Sequence, residues 1–428
     1  MIKVQKEDFI KDAIENYDKL PQETGELYKR HFINIPFDIK NFRQNKDSPK
    51  PIKSVSEELA SKIGVKFNVS LGSSDYFVSE DSGIAKVEDS VGQDNDLYKS
   101  SEDKYIAFIN ANSDRSVVIN VPEGKSANMN MLLVNSNAPL NARIIINVGN
   151  NSKLNFFEYY GSSQELNTSL GTIHEVHIGD NSTLELNSLH NESSGTLALS
   201  FCKNRMGKSS HFRYNSFYNG AAHTRVRNRV EAGGIESKVD INEVILGSKT
   251  QKFDINTYIV NAAPHTHAEL ESKAALMGES FCILKGYAKI QKGATKAKSY
   301  VHERGILLDK GARVYGLPDM SVDENDVRAT HSSATSPVDP EAVFYMMTKG
   351  IGEQGVRKLL VTGFFAESIL RIENTVMKEL SMSLINGKLE DGSYGYMPKM
   401  DARNIWVGSS DAVSKDMFKG HYKYRGAE

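Results

Sequence analysis

The sequence predicts a mainly β chain, a β-solenoid flanked by helical regions at its N- and C-terminal ends. Three observations predict it. Short β-branched runs recur from about residue 104 to 335, among them Val117-Val118-Ile119-Asn120-Val121, Arg143-Ile144-Ile145-Ile146-Asn147-Val148 and Glu175-Val176-His177-Ile178. Each is closed by a turn of Gly, Asn, Asp or Ser, the residues that bend a chain at least cost. One such turn, Val148-Gly149-Asn150-Asn151-Ser152-Lys153-Leu154, returns 30 residues later as Ile178-Gly179-Asp180-Asn181-Ser182-Thr183-Leu184. Beyond residue 339 the apolar spacing becomes helical.

In order along the chain, residues 1–103 read as a mixed helical region with a flexible acidic connection. Phe9/Ile10, Ala13/Ile14 and Tyr17 fall at helical intervals. Leu20-Pro21 ends that helix, since a residue before proline is pushed out of the α region. Glu23–Phe32 gives a second helical hint, and residues 72–103 are Ser-, Asp- and Glu-rich with little periodicity. Residues 104–337 form the solenoid. Looser copies of its turn lie at Pro122–Ala127, Gln291–Thr295 and Asp309–Arg313. A single coil leaves an apolar face and its backbone edges unsatisfied, and stacking on the next coil resolves both. The glycine is expected to supply a left-handed corner. The competing fold, an antiparallel sandwich, would show more two-residue hairpin turns.

Residues 338–388 are the C-terminal helical region. Asp339 reads as an N-cap, with Pro340 at the first helical position and Glu341 in the first turn. A helix Glu341–Lys349 closes at Gly350, a second spans about Glu353 to Leu370, and further helix reaches about Leu384. Residues 389–428, polar and aromatic, form a tail without an assigned role.

Composition narrows the function. The 428 residues carry 52 Lys+Arg against 54 Asp+Glu, a formal charge of −2, which argues against a nucleic-acid binder. No apolar run approaches the ~18 residues of a membrane span. The opening residues Met1–Asp8 carry acids and no apolar export core, so a cytoplasmic home is expected. Cys202 and Cys282 are the only cysteines, which excludes a disulfide framework.

Among chemical groups, His265-Thr266-His267 sits in a strand-like context that places both rings on one face, but no second ligand pair follows. His302-Glu303 and His331 lie on two late strands. Glu303 and His331 are 28 residues apart, close to one coil, so stacking can bring them together. Arg225, Arg227 and Arg229 alternate and share one strand face, which suits an anion but more commonly is a solvated surface. Cys202 and Cys282, outside any CxxC pair, read as small buried hydrophobes. There is no nucleotide-binding GxxxxGK[ST] loop, so any nucleotide hydrolysis belongs to another chain. Val343-Phe344-Tyr345-Met346-Met347 surrounds more than one helix face, and its outer side fits a partner's groove.

The ordered segments Ala263-Pro264-His265-Thr266, Leu284–Ile290, Gly305-Ile306-Leu307-Leu308, Leu317-Pro318-Asp319-Met320, Asp326–Thr335 and Asp339–Ile351 with Gly363-Phe364 resemble the SufB/SufD family, scaffolds of iron–sulfur cluster assembly. The resemblance implies a right-handed parallel β-helix with helical ends and no catalysis of its own. It implies docking of an ABC-type ATPase, SufC, on the helix pair 340–370, with Val343, Phe344, Tyr345, Met346, Met347, Gly350 and Ile351 as contacts. It also implies pairing with a second SufB/SufD-type subunit, as homodimer or heterodimer, through the late strands. A transient iron–sulfur cluster would form at that interface, with none held by the isolated chain. His331 matches the SufD-type histidine. The position of the SufB assembly cysteine falls near Glu303, and no Cys lies near it, which points to a SufD-like subunit supplying His331; a self-paired scaffold using Glu303 and His331 together as an iron site is the alternative. No nucleic acid or membrane partner is implied. A cytosolic β-helix enzyme acting on polysaccharide and a purely structural partner without an iron site are the competing readings.

Overall fold

The computed structural model describes residues 2–21, 67–71, 74–78, 85–88, 97–113, 116–135, 139–162 and 168–395. The helical hint at Glu23–Phe32 and residues 396–428 of the tail lie outside them. In chain order the elements begin with α1 (Ile2–Lys19), β1 (Phe67–Leu71), β2 (Ser74–Val78), β3 (Ala85–Glu88) and α2 (Lys104–Asn112). Next come β4 (Ser116–Val121), β5 (Ser126–Asn135), β6 (Leu140–Val148), β7 (Lys153–Ser162), β8 (Thr168–Ile178), β9 (Thr183–Asn191) and β10 (Thr196–Met206). They continue with β11 (His211–Tyr218), β12 (His223–Ala232), β13 (Lys238–Gly247), β14 (Lys252–Asn261), β15 (His267–Leu276) and β16 (Phe281–Ile290). The last strands are β17 (Lys298–Leu307), β18 (Arg313–Gly316), β19 (Asp319–Val322) and β20 (Arg328–Pro337), followed by α3 (Pro340–Thr348), α4 (Glu353–Leu370) and α5 (Thr375–Asp391).

The strands form a two-sheet parallel solenoid, as the turn repeat predicts. Each coil gives one strand to each sheet. The first sheet runs β1-β2-β5-β7-β9-β11-β13-β15-β17-β20, and the second runs β18-β16-β14-β12-β10-β8-β6-β4-β3, with β19 also on β16. From β5 and β4 onward every pairing is parallel, whereas β1 on β2, β2 on β5 and β3 on β4 are antiparallel. β2 and β3 come from the segment expected to be a loose connection.

Alternation decides what each strand buries. In β7, Leu154, Phe156 and Tyr160 face the interior between the sheets, while Phe157 and Tyr159 face outward beneath the C-terminal helices. Val361, Phe365 and Ile369 of α4 and Met377, Leu380, Leu384 and Ile385 of α5 complete that outer layer. On the opposite side α2 packs Ile106, Phe108 and Ile109 onto Ile173, Leu197, Leu199 and Phe201 of the second sheet. Early strands are therefore buried on two faces, β8 for instance at all but one residue. Each buried Leu, Ile or Phe stabilises this arrangement by about 1.5–3 kcal/mol.

The corners divide: Gly124 (φ 69°) and Gly293 (φ 91°) are left-handed as expected, while the best-matched turns differ. Gly149 and Gly179 are not left-handed; that conformation falls to Asn151 (φ 53°) and Asn181 (φ 54°), residues whose short amides tolerate it. The glycines serve close approach instead. A Cβ on Gly179 would lie 2.8 Å from the backbone nitrogen of Asn150 one coil below. The Asn and Asp side chains then tie coil to coil: Asp180 N–H donates to Asn150 Oδ1 at 2.8 Å, and Lys208 N–H donates to Asp180 Oδ1 at 2.7 Å.

The helix signals act as read. Asp339 accepts from the Glu341 N–H at 2.9 Å with Pro340 next, and Gly350 adopts φ 87° after the helix. The last helix runs past Leu384 to Asp391 because Gly392, in the left-handed region, closes it. No described helix is long and apolar enough to cross a membrane.

Candidate functional site

The last coil of the solenoid ends on exposed strands. β20 pairs with β17 on one side only, and all its residues are exposed or half-exposed. In-register parallel pairing places partner side chains on the same face. Val301 opposes His331 and Glu303 opposes Ser333, so His331 and Glu303 both project from the interior face of the first sheet. Strand spacing and rise put their Cα atoms roughly 8 Å apart, on a diagonal two residues along and one strand over. His331 is exposed, and its ring makes no hydrogen bond among the described residues.

Glu303 is the opposite: 1% exposed, one strand beneath that edge. Its Oε1 accepts the Gly286 N–H at 2.6 Å, while Oε2 makes no well-aligned hydrogen bond among the described residues, the Leu317 amide being the other backbone group acting on the carboxyl. A Cβ on Gly316 would lie 2.9 Å from that oxygen, so this glycine leaves the space it occupies. Burial raises the Glu303 carboxyl to about 8; the Gly286 amide opposes this and the nearby Glu243 adds to it. At neutral pH the group is mostly a neutral acid.

A pH prediction follows from that value. An acid whose folded pKa is raised keeps its proton in the fold and loses it when unfolded, so its contribution to stability falls as pH rises from about 4.5 to about 8. The slope is roughly 1.4 kcal/mol per pH unit. Glu303→Gln keeps the neutral shape and is expected to flatten that decline in denaturant midpoints. Equal slopes in both proteins would refute the assignment.

The interior holds further carboxylates that the sequence reading missed. Glu158 pairs with His174 (Oε2 to Nε2, 3.0 Å) and accepts from Ser188; Glu243 accepts from Thr257 and from Ser272 Oγ at 2.7 Å. Burial opposes the ionised Glu158, but His174 beside it holds its carboxyl below the ordinary value; burial raises that of Glu243. The signal was phase: Glu158 continues the inward series Leu154, Phe156. Cys202 and Cys282 are wholly buried, and burial pushes both thiols far up, so neither offers a thiolate.

His265 and His267 do not share a strand face. His265 occupies a left-handed corner at φ 60°, and β15 starts only at His267. The Arg225, Arg227 and Arg229 alternation holds, but the solvated-face reading does not. Arg225 and Arg227 are buried against Asp254 of β14, and Arg225 lies 4.6 Å from the Tyr105 ring of α2; only Arg229 is exposed.

Beyond β20 the chain enters α3, which has no fully buried residue. Val343 and Met346 are half-buried, while Phe344 is 70%, Tyr345 62% and Met347 43% exposed. Ile351, just past Gly350, extends the same apolar surface.

Comparison with known proteins matches residues 131–364, more than half of the chain, to the family described as "SUF system FeS cluster assembly, SufBD core domain". The chain is 24% identical over 249 residues to the iron–sulfur cluster assembly protein SufD of Bacillus subtilis (strain 168), covering 58% of this chain and 57% of that protein. It is 27% identical over 192 residues to an iron–sulfur cluster assembly SufBD family protein of Mycobacterium leprae (strain TN), 43% of this chain and 49% of the relative. Against the SufD of Escherichia coli (strain K12) it is 21% identical over 179 residues, 42% of each. The chain spans about half the length of the curated relatives it matches.

Proposed function

Since the chain belongs to the SufBD family of SUF-system iron–sulfur cluster assembly proteins, we propose that it is a non-catalytic scaffold subunit on which a nascent cluster forms at the bare β20 end. The observation that carries this is the pairing of an exposed, unbonded imidazole, His331, with a buried carboxyl, Glu303, on the same interior face of that end. Imidazole and carboxylate both suit iron, and the cluster is cargo rather than a resident group. Wholly buried thiols leave the sulfur ligand to a partner. The missing mate is a second SufB/SufD-type subunit, whose late strand adds to the β20 edge by main-chain hydrogen bonds. The α3 surface receives the SufC ATPase, which hydrolyses the nucleotide.

The test is anaerobic reconstitution with ferrous iron and sulfide on the paired assembly. His331→Ala is expected to lower retained iron by about tenfold or more, the scale on which removing a metal-site group acts. The ring is exposed, so the fold is retained. Iron retention equal to wild type would leave a purely structural subunit.

A further inference from the structure

On the outer face of the first sheet, away from the β20 end, three donors from two adjacent strands converge. β13 and β15 pair in register with Asp240 opposite Glu269 and Lys238 opposite His267. One ligand atom each from Asp240, His267 and Glu269 lies within 4.8 Å of the other two, and all three residues are half-buried. His267 Nε2 is 3.6 Å from Glu269 Oε2. A second imidazole adjoins them: His211 Nε2 lies 2.6 Å from Asp240 Oδ2.

We propose that Asp240, His267 and Glu269, with His211 beside them, bind a divalent transition-metal ion of the zinc and ferrous class. Ligands about 2.0–2.2 Å from such an ion stand roughly 3.5 Å apart in a tetrahedral shell. The observed separations bracket that value, so small side-chain rotations bring the donors onto one ion. His211 serves either as the fourth ligand or as the group that orients the Asp240 carboxylate. Nitrogen donors among the oxygens select against magnesium and calcium, which take oxygen shells.

Arg213, opposite Asp240 in register, and Arg371, near Glu269, both favour the ionised carboxylates but are shared with other acids. Arg371 is 3.6 Å from Glu269 but closer to Glu271 at 3.0 Å and to Glu367 at 2.7 Å. Arg213 spends its charge on Glu373 at 2.5 Å. The Tyr300 ring of β17, 5.5 Å from the His267 ring, flanks the cluster on its far side. The donors on β13 and β15 face outward, whereas Glu303 and His331 face the interior, so the two ion sites are separate.

The experiment is calorimetric titration of chelator-treated protein with zinc, and separately with magnesium, backed by the visible absorption of bound cobalt. One zinc per chain is expected in the micromolar range, with negligible magnesium binding. The isosteric pair Asp240→Asn with Glu269→Gln should weaken zinc binding by about a hundredfold and abolish the cobalt band, with circular dichroism unchanged. The same loss on the double substitution is expected in a His331→Ala background, where the cluster-forming end is disabled, which separates this site from that end. Absence of zinc binding in wild type, equal binding by magnesium, or a double variant that titrates like wild type would each overturn the proposal. If the double variant unfolds, His267→Gln alone carries the same expectation.

Discussion

Asp254→Ala is expected to destabilise the protein by about 3–5 kcal/mol, the usual consequence of removing one partner from a buried ion pair. Asp254 lies within 3.2 Å of both Arg225 and Arg227 and 3.8 Å from Lys285, and each of these groups is less than a tenth exposed. Burial alone would raise its carboxyl, but Arg227, Arg225 and Lys285 hold it down to about 2. Its contribution is therefore present above the ordinary carboxylate range and lost as pH falls through about 2. The truncation removes a carboxylate shared by three buried cations beneath α2, whose N-cap residue Asp103 also lies near Arg225 and Arg227. Denaturant unfolding measures it. A loss below about 1 kcal/mol would show that the arginines find water or another carboxylate.

Phe344→Asp combined with Met347→Asp is expected to weaken ATPase binding by at least about a hundredfold while leaving thermal unfolding nearly unchanged. Both side chains are exposed, and substitutions at such positions shift stability by about 0.5 kcal/mol or less. At an interface the same side chains act as apolar anchors worth about 2 kcal/mol or more each, and 1.4 kcal/mol is tenfold in affinity. Co-purification with the ATPase, alongside a melting curve, reads both quantities. Undiminished binding would remove α3 as the docking surface.

The solenoid and its terminal helices were legible because their signals are local or strictly periodic. The 30-residue return of Gly149-Asn150-Asn151-Ser152 is the coil itself: Ser152 N–H donates to Ser182 Oγ at 3.0 Å across the repeat. Asp339, Pro340 and Gly350 state the bounds of α3 within a dozen residues. What escaped depends on register and on layers distant in sequence. Arg225 reads as a surface residue until α2, more than a hundred positions earlier, is laid across it. His267 loses its neighbour His265 to a corner and gains Asp240 from the previous coil, a partner that ligand spacing along one strand does not reveal. Glu303 and His331 were paired by counting residues per coil. Their unequal burial was not foreseeable, because it depends on β20 being the last strand.

The two extremities of this stack are unlike. At the start the neighbouring strands run counter to the coil direction (β2 on β5, β3 on β4), whereas at the finish β20 keeps it. In the first sheet the reversal is confined to β2, since the outermost strand β1 runs with the coil again, while the second sheet begins on the reversed β3. Under the proposed pairing, foot-to-foot union about a two-fold axis would consume two β20 borders at once and terminate with a pair rather than a filament.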